Sequence, residues 1–415
     1  HQCRIHFLEL RDVSKEPGIC LNEPVKNKAD KDKCVDLHIK DEADHEAFSP
    51  QTTTSSCNTK DLFQEARTKK PVKEYAIKIY SRDFGSYGFL RSYANINTNP
   101  SEGQVSGTPL YYSIGVKKSE VTHPAGRPKK KEYKDNRVTI PMDIDENKIC
   151  DGGWTASIGS AAIADPPDNK ADTDNTPSGD GNNGDGYSNY EEYRGFKVTQ
   201  PAVAHVRLNN KRKDLFINNE DNLPVANFET ASGLTVHLID EAHYNKNTER
   251  YVNFNYATAH AGLQRGLHLV DGGNSTELLG IALGDNNRPN PPNWELRIVV
   301  YTNAIQRHCT ARRLNYNTKL TQVTSHELGH GCNVFHHGET NGANGLRSGD
   351  LSCIMRYDNQ GAAVETPGSI FCTGANGTGA NQNPNPNAGF GACANGRGNC
   401  IAQFRVNHNT PYPNR

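Results

Sequence analysis

Hydrophobic and polar positions alternate in short runs along much of this chain, and Gly, Pro and Asn separate the runs. Before about residue 72 the alternation is weak, so no element is assigned there, and Thr52 to Ser56 reads as a loop. Between 72 and about 140 the pattern is that of short strands, at 75–80, 88–93, 110–114 and 137–140. Several short strands between turn residues predict a small β-sandwich. Further on, strands are predicted at 213–217, 234–239, 250–255, 278–283 and 296–301. A helix follows, with Asn317 or Thr318 as its cap and Leu320, Val323 and Leu328 on its buried face. After Met355 come a long Gly- and Asn-rich loop at 375–387 and an alternating stretch at 396–406. The fold class expected is α+β: a β-rich N-terminal domain over 1–140, a linker over 141–197, and a mixed domain with one long helix over 198–415.

Composition narrows the class. With 46 basic and 47 acidic side chains, the balance implies neither a nucleic-acid nor an anionic-membrane partner. Hydrophobic residues make up 34% of the chain, and no apolar run is long enough for a membrane span. The basic run from Arg127 to Lys131 reads as an exposed loop. The opening His1-Gln2-Cys3 carries no signal-peptide pattern and suggests a processed chain. Eleven cysteines, none in a C-x-x-C pair, fit disulfides rather than a thiolate zinc module. With sequons at Asn274 and Asn376 they point to a secreted protein. Cys332 paired with Cys353 would tie the long helix to the segment after it, and Cys150 is the odd thiol. Spacing alone does not fix the connectivity.

The helix carries His326-Glu327-Leu328-Gly329-His330, an H-E-x-x-H pattern. Residues four apart share a helix face, so both imidazoles can reach one ion, and Glu327 can reach a water on it. His336, six residues after His330, is the candidate third ligand, and Asn333 occupies the intervening turn. Asn tolerates left-handed backbone next best after Gly. His337, Glu339 and Glu365 are the alternative third ligands. Met355 follows 19 residues after His336, within Ser352-Cys353-Ile354-Met355-Arg356-Tyr357.

These residues resemble the metzincin zinc metallopeptidases, in an H-E-x-x-H-x-x-N-x-x-H variant with a Met-turn. The resemblance implies zinc on His326, His330 and His336, Glu327 as general base, and Met355 as an apolar floor beneath the histidines. Tyr357 is similar to the tyrosine that approaches zinc in some branches. It also implies a protein or peptide substrate that pairs with an exposed sheet edge, for which 278–283 is the candidate.

Two further stretches are rich in oxygen donors. Calcium takes six to eight oxygens, and an EF-type loop places them at alternating positions with Gly at the sixth. Counting Asp185 as fifth puts Gly186 sixth, the Tyr187 carbonyl seventh, Asn189 ninth and Glu192 twelfth. One inserted residue lets Asp180 and Asn182 lead. Earlier, Asp143, Asp145 and Asn147 take alternating positions, but Lys148 stands where Gly belongs. Asp172 and Asp174 are additional candidate donors. Together the stretches resemble the paired thrombospondin-type-3-like calcium segments of secreted bacterial proteins, and calcium there would be structural. Asx-rich turns without metal are the plainer alternative.

The leading expectation is a secreted zinc endopeptidase stabilised by calcium. The rivals are a calcium-stiffened binding or adhesive protein with an inactive peptidase domain, and a latent zymogen blocked by residues 1–140.

Overall fold

The computed structural model describes residues 5–12, 37–39, 45–48, 62–69, 77–81, 87–95, 111–113, 137–156, 161–179, 183–243, 252, 266–284, 295–334, 353–355, 368–372 and 400–406. The chain parts into two compact units. One comprises His1–Lys170 with Asn189–Phe196, the other Ala171–Ser188 with Lys197–Arg415. The segment 141–197, read from sequence as a linker, is thus divided between them.

The first unit is built on an antiparallel sheet. Its centre is β1 (Ile5–Asp12), flanked by β4 (Leu62–Thr68) and β6 (Gly88–Asn95). β3 (His45–Phe48) extends it beyond β4, while β7 (Tyr111–Ser113) and β8 (Arg137–Ile140) both pair with β6. A ribbon of β2 (Leu37–Ile39) and β5 (Ile79–Ser81) supplies Leu37 and Ile39 to a core with Leu10 and Ala66. The central strand therefore lies in the region where sequence patterning assigns nothing. A second small core gathers Ile149, Trp154, Ile163, Tyr190 and Tyr193. It joins the pair β9 (Trp154–Thr155) and β10 (Ala162–Ile163) to α1 (Asn189–Arg194).

The second unit has mixed α and β content around a five-stranded mixed sheet, compatible with α+β. A short pair, β11 (Phe196–Val198) and β12 (Ala204–Val206), leads into it. The strands are β13 (Asp214–Asn219), β14 (Thr235–Ile239), β15 (Gly266–Asp271), β16 (Gly280–Gly284) and β17 (Glu295–Val300). Their order is β14-β13-β15-β17-β16. All pairings are parallel except β16 with β17, so β16 is an antiparallel edge. Every residue of β13 is buried, as expected of a strand inside a parallel sheet covered by helices.

Among the described residues three helices accompany the sheet: α2 (Ala226–Ser232), α3 (Thr302–Arg312) and α4 (Tyr316–Gly331). In the core, Ile217, Leu269, Ile298 and Val300 from the strands meet Phe228, Ile305, Val323 and Leu328 from the helices. The structure corrects the cap of α4. It is Asn315, whose side chain accepts from the Thr318 backbone N–H at 2.9 Å, so the helix starts before both predicted caps. Of the strand expected at 250–255 only Val252 is described, and it is buried. Among the described residues no helix is long and apolar enough to cross a membrane.

Candidate metal centre

His326, Glu327 and His330 occupy the last turns of α4. The two imidazoles meet edge to face, with ring centroids 4.8 Å apart and planes at 88°. Each Nδ1 lies 2.8 Å from a backbone carbonyl, His326 from Ile354 and His330 from Val334. A carbonyl only accepts, so each ring donates from Nδ1, and in the neutral imidazole the lone pair is then on Nε2. That is the usual arrangement of a metal-ligating histidine, held by a partner behind it. Imidazole nitrogens are of the donor type zinc takes, but a zinc site needs at least three protein ligands, and among the described residues no third donor groups with these two.

The end of α4 explains the Asn. Asn333 sits at φ 70°, in the left-handed region. Its N–H reaches the His330 carbonyl at 2.9 Å, and the Val334 N–H reaches the Gly329 carbonyl at 2.9 Å. This is a Schellman ending with Asn in the position that Gly usually takes. The Asn333 amide also donates to the Gln403 carbonyl at 3.2 Å, tying the turn to the C-terminal segment. Val334 is thereby fixed where its carbonyl holds His330.

Met355 lies beneath this helix, fully buried. A β-carbon added at Gly329 would lie 2.8 Å from its Sδ, so Gly329 permits the close approach. The turn around Met355 is held by a bridge between Cys353 and Ile370, with the Ile354 N–H donating to the Ile370 carbonyl at 2.8 Å. Phe371 packs against Phe404 edge to face, 4.8 Å between centroids. Cys353 and Cys372 each place Sγ 3.6 Å from Cys400 Sγ. Among the described residues no disulfide is formed, so the expected Cys332–Cys353 pairing is not made. The bridge at Ile370 and the bond from the Ile401 N–H to the Cys372 carbonyl draw Cys353, Cys372 and Cys400 to one point.

Glu327 is 6% exposed and lies against the edge strand, where Gly280 of β16 leaves room for it. The candidate third ligand His336 and Tyr357 lie outside the described residues, as do His337, Glu339 and Glu365.

Two acidic clusters occur where oxygen donors were expected. In the first unit, oxygens of Asp143, Asp145 and Asp151 lie within 4.8 Å of one another. Asp143 accepts from the backbone N–H groups of Asn147 at 3.1 Å and Lys148 at 2.8 Å. Burial, with Asp145 alongside, pushes its carboxyl up to about 7. Lys148 adopts φ 70°, the conformation for which an EF-type loop uses Gly. The Asn147 amide donates to Asp165 at 2.8 Å and to Asp145 at 3.3 Å, while its oxygen accepts from the Ile149 N–H at 2.7 Å. Asn147 thus crosslinks the loop instead of turning its oxygen toward the carboxylates.

In the second unit, Asp172, Asp174 and Asp185 converge within 4.8 Å. Asp172 accepts from the N–H groups of Asp185 at 3.0 Å and Gly186 at 2.8 Å. Asp185 accepts from the N–H groups of Tyr187 at 3.0 Å and Asp214 at 2.7 Å. Burial first, then the neighbouring carboxylates, hold the Asp185 carboxyl well above its ordinary range. Asp214 in turn meets His237 Nε2 at 2.5 Å. Asn189 and Glu192 lie in α1, where the Asn189 amide donates to the Asp168 carbonyl at 2.7 Å. Tyr187 packs its ring on Phe216. Asp180 and Asn182 lie outside the described residues.

Sequence reasoning missed Gly280, Asp214 and the two carbonyls that orient the histidines. A backbone carbonyl leaves no trace in residue identity, and Gly280 becomes meaningful only once β16 is set beside α4. No family model, no curated protein and no solved structure matches the chain.

Proposed function

We propose that this chain is a zinc-dependent endopeptidase of metzincin type, acting on protein or peptide substrates outside the cell. The observation that carries the reading is the pair His326 and His330, each anchored through Nδ1 to a carbonyl, with Glu327 between them in sequence and beside the edge strand β16. His336 completes the ligand set in this proposal, as the spacing of the motif implies. Zinc supplies a Lewis acid that lowers the pKa of a water molecule and polarises a carbonyl.

The residues of the chain do the rest. Glu327, nearly buried, accepts the proton of the attacking water and passes it to the leaving amine. Ile354 and Val334 keep the two imidazoles from rotating during the reaction. The outer edge of β16 supports backbone pairing with an extended peptide close to Glu327. Tyr357, by resemblance, assists the developing oxyanion.

Calcium at the two acidic clusters is the second part of the proposal. Buried carboxylates without a cation carry a large desolvation and repulsion cost, as the raised Asp143 and Asp185 carboxyls reflect. A divalent cation with oxygen ligands relieves both. Its role is to hold the loops that carry these acids.

The test is zinc content by elemental analysis, with casein hydrolysis before and after 1,10-phenanthroline. About one zinc per chain, with hydrolysis lost on chelation and restored by zinc, is expected. A folded, freshly purified chain without zinc overturns the proposal.

A further inference from the structure

Three cysteines from separate parts of the second unit meet at one point. Cys353 stands just before Ile354 and Met355, Cys372 follows Phe371, and Cys400 opens the short 3-10 helix at Ile401–Gln403. Cys400 comes to Cys353 from 47 residues away and to Cys372 from 28, so no local turn accounts for the meeting. Backbone bonds hold it in place. The Ile354 N–H donates to the Ile370 carbonyl at 2.8 Å, and the Ile401 N–H to the Cys372 carbonyl at 3.2 Å.

The triangle of sulfurs has the dimensions of a metal–thiolate site. Cys400 Sγ lies 3.6 Å from both Cys353 Sγ and Cys372 Sγ, and all three fall within 4.8 Å of one another. With two such sides and a third inside that limit, the point equidistant from the three sulfurs lies about 2.4 Å or less from each, against about 2.3 Å for a zinc–thiolate bond. A disulfide satisfies two thiols only, and among the described residues none is formed. One ion satisfies all three.

The surroundings narrow the choice of ion. The three cysteines are at most 1% exposed and share their core with Met355, Phe371 and Phe404. Zinc in a closed structural site takes four ligands. Among the described residues no fourth His, Cys, Asp or Glu groups with these three. Thiolates select soft ions, and copper(I) is the soft d10 ion that three thiolates complete.

We propose that Cys353, Cys372 and Cys400 together bind one copper(I) ion. The ion enters as copper(I), so no electron is transferred, and each thiol that binds it as thiolate gives its proton to solvent. Bound there, it crosslinks the turn at Met355 to the two later segments. Ile354, beside Cys353, carries the carbonyl that holds His326, so the crosslink stands behind the histidine centre and shares no ligand with it. The proposal does not depend on zinc or on peptidase activity.

The experiment titrates the full chain, reduced and freed of metal, with copper(I) supplied as its acetonitrile complex under nitrogen, in competition with a coloured copper(I) chelator. Zinc chloride is a separate arm. X-ray absorption at the copper edge of the parent protein with one equivalent should show sulfur neighbours only, at about 2.3 Å as in other metal thiolates. Cys372→Ser and Cys400→Ser should each weaken the first equivalent at least about a hundred-fold, more than the loss of an outer partner costs. Cys150→Ser and His326→Ala should leave it unchanged, with circular dichroism checking the fold of every variant. Nitrogen or oxygen neighbours, a first equivalent indifferent to Cys372→Ser and Cys400→Ser, or zinc displacing copper(I) from these thiols overturns the proposal. So does a disulfide joining any two of the three, mapped by mass spectrometry in the chain purified without reductant. Absence of zinc from the histidine centre alters none of these readings.

Discussion

A β-carbon placed on Gly280 would lie 2.6 Å from Cγ of Glu327 and 2.8 Å from its Oε1. The edge strand and the proposed general base therefore share one space, which only a residue without a side chain leaves open. Gly280→Ala should force Glu327 to move. We expect a fall in kcat/KM of about ten- to a hundred-fold, because small displacements of a catalytic group are costly. Zinc content should stay at the parent level. Parent-like kcat/KM for casein-derived peptides would show that Glu327 is not confined there.

Glu327→Gln removes the proton acceptor while keeping the shape. Zinc should remain and hydrolysis should fall by at least about two orders of magnitude. His330→Ala should instead lose the metal, measured by elemental analysis after dialysis. Zinc loss in the Glu327 variant would exclude its assignment as a base and make it structural.

Asn333 tests the turn. At φ 70°, Asn333→Gly keeps the backbone and loses only the bond to Gln403. Its stability should change by less than about 1 kcal/mol. Asn333→Val places a β-branched residue in the left-handed region and should cost about 2 kcal/mol or more. The His330 carbonyl anchor sits one residue on, so Val should also weaken zinc binding. Chemical denaturation and zinc titration of both variants separate the two effects.

Asp143 gives a pH prediction. Its folded carboxyl is raised from 3.8 to about 7, chiefly by burial. The metal-free fold therefore holds this proton more tightly than the unfolded chain does. The associated stability is complete below about pH 4 and is lost as pH rises through about 7. The melting temperature of chelator-treated protein should fall between about pH 5 and pH 8, and Asp143→Asn should flatten that fall. Calcium favours the carboxylate, so it should raise the melting temperature at pH 8 far more than at pH 5. A calcium effect that is the same at both values would count against Asp143 as a ligand.

Legibility in the sequence follows the physics of each element. The helix of His326 and His330 is legible because the spacing of its residues is the helical repeat itself. Its cap is misplaced because an Asn315 side chain reaching Thr318 looks, in sequence, like any other Asn in Leu314-Asn315-Tyr316-Asn317. The stretch at 278–283 is legible as a short apolar run, Leu278-Leu279-Gly280-Ile281-Ala282-Leu283, and lies largely on β16. Gly266–Asp271 escapes notice because its burial on both sides of the sheet leaves little alternation to read. The acidic clusters are visible as composition but not as ligand sets. Asp172 and Asp214 come to Asp185 from 13 and 29 residues away, and no fixed register within one loop encodes that.

The two carbonyl anchors also set the terms on which protons and metal compete. With Nδ1 committed to Ile354 and Val334, each ring has one lone pair left, on Nε2. A proton that claims Nε2 excludes the metal from that ring, and the ring cannot offer its other nitrogen without breaking an anchor. Below the usual imidazole range, about pH 6.5, zinc affinity should therefore fall with at least the second power of proton activity. Acid would empty this centre steeply, by protonating two ligands whose positions it leaves in place.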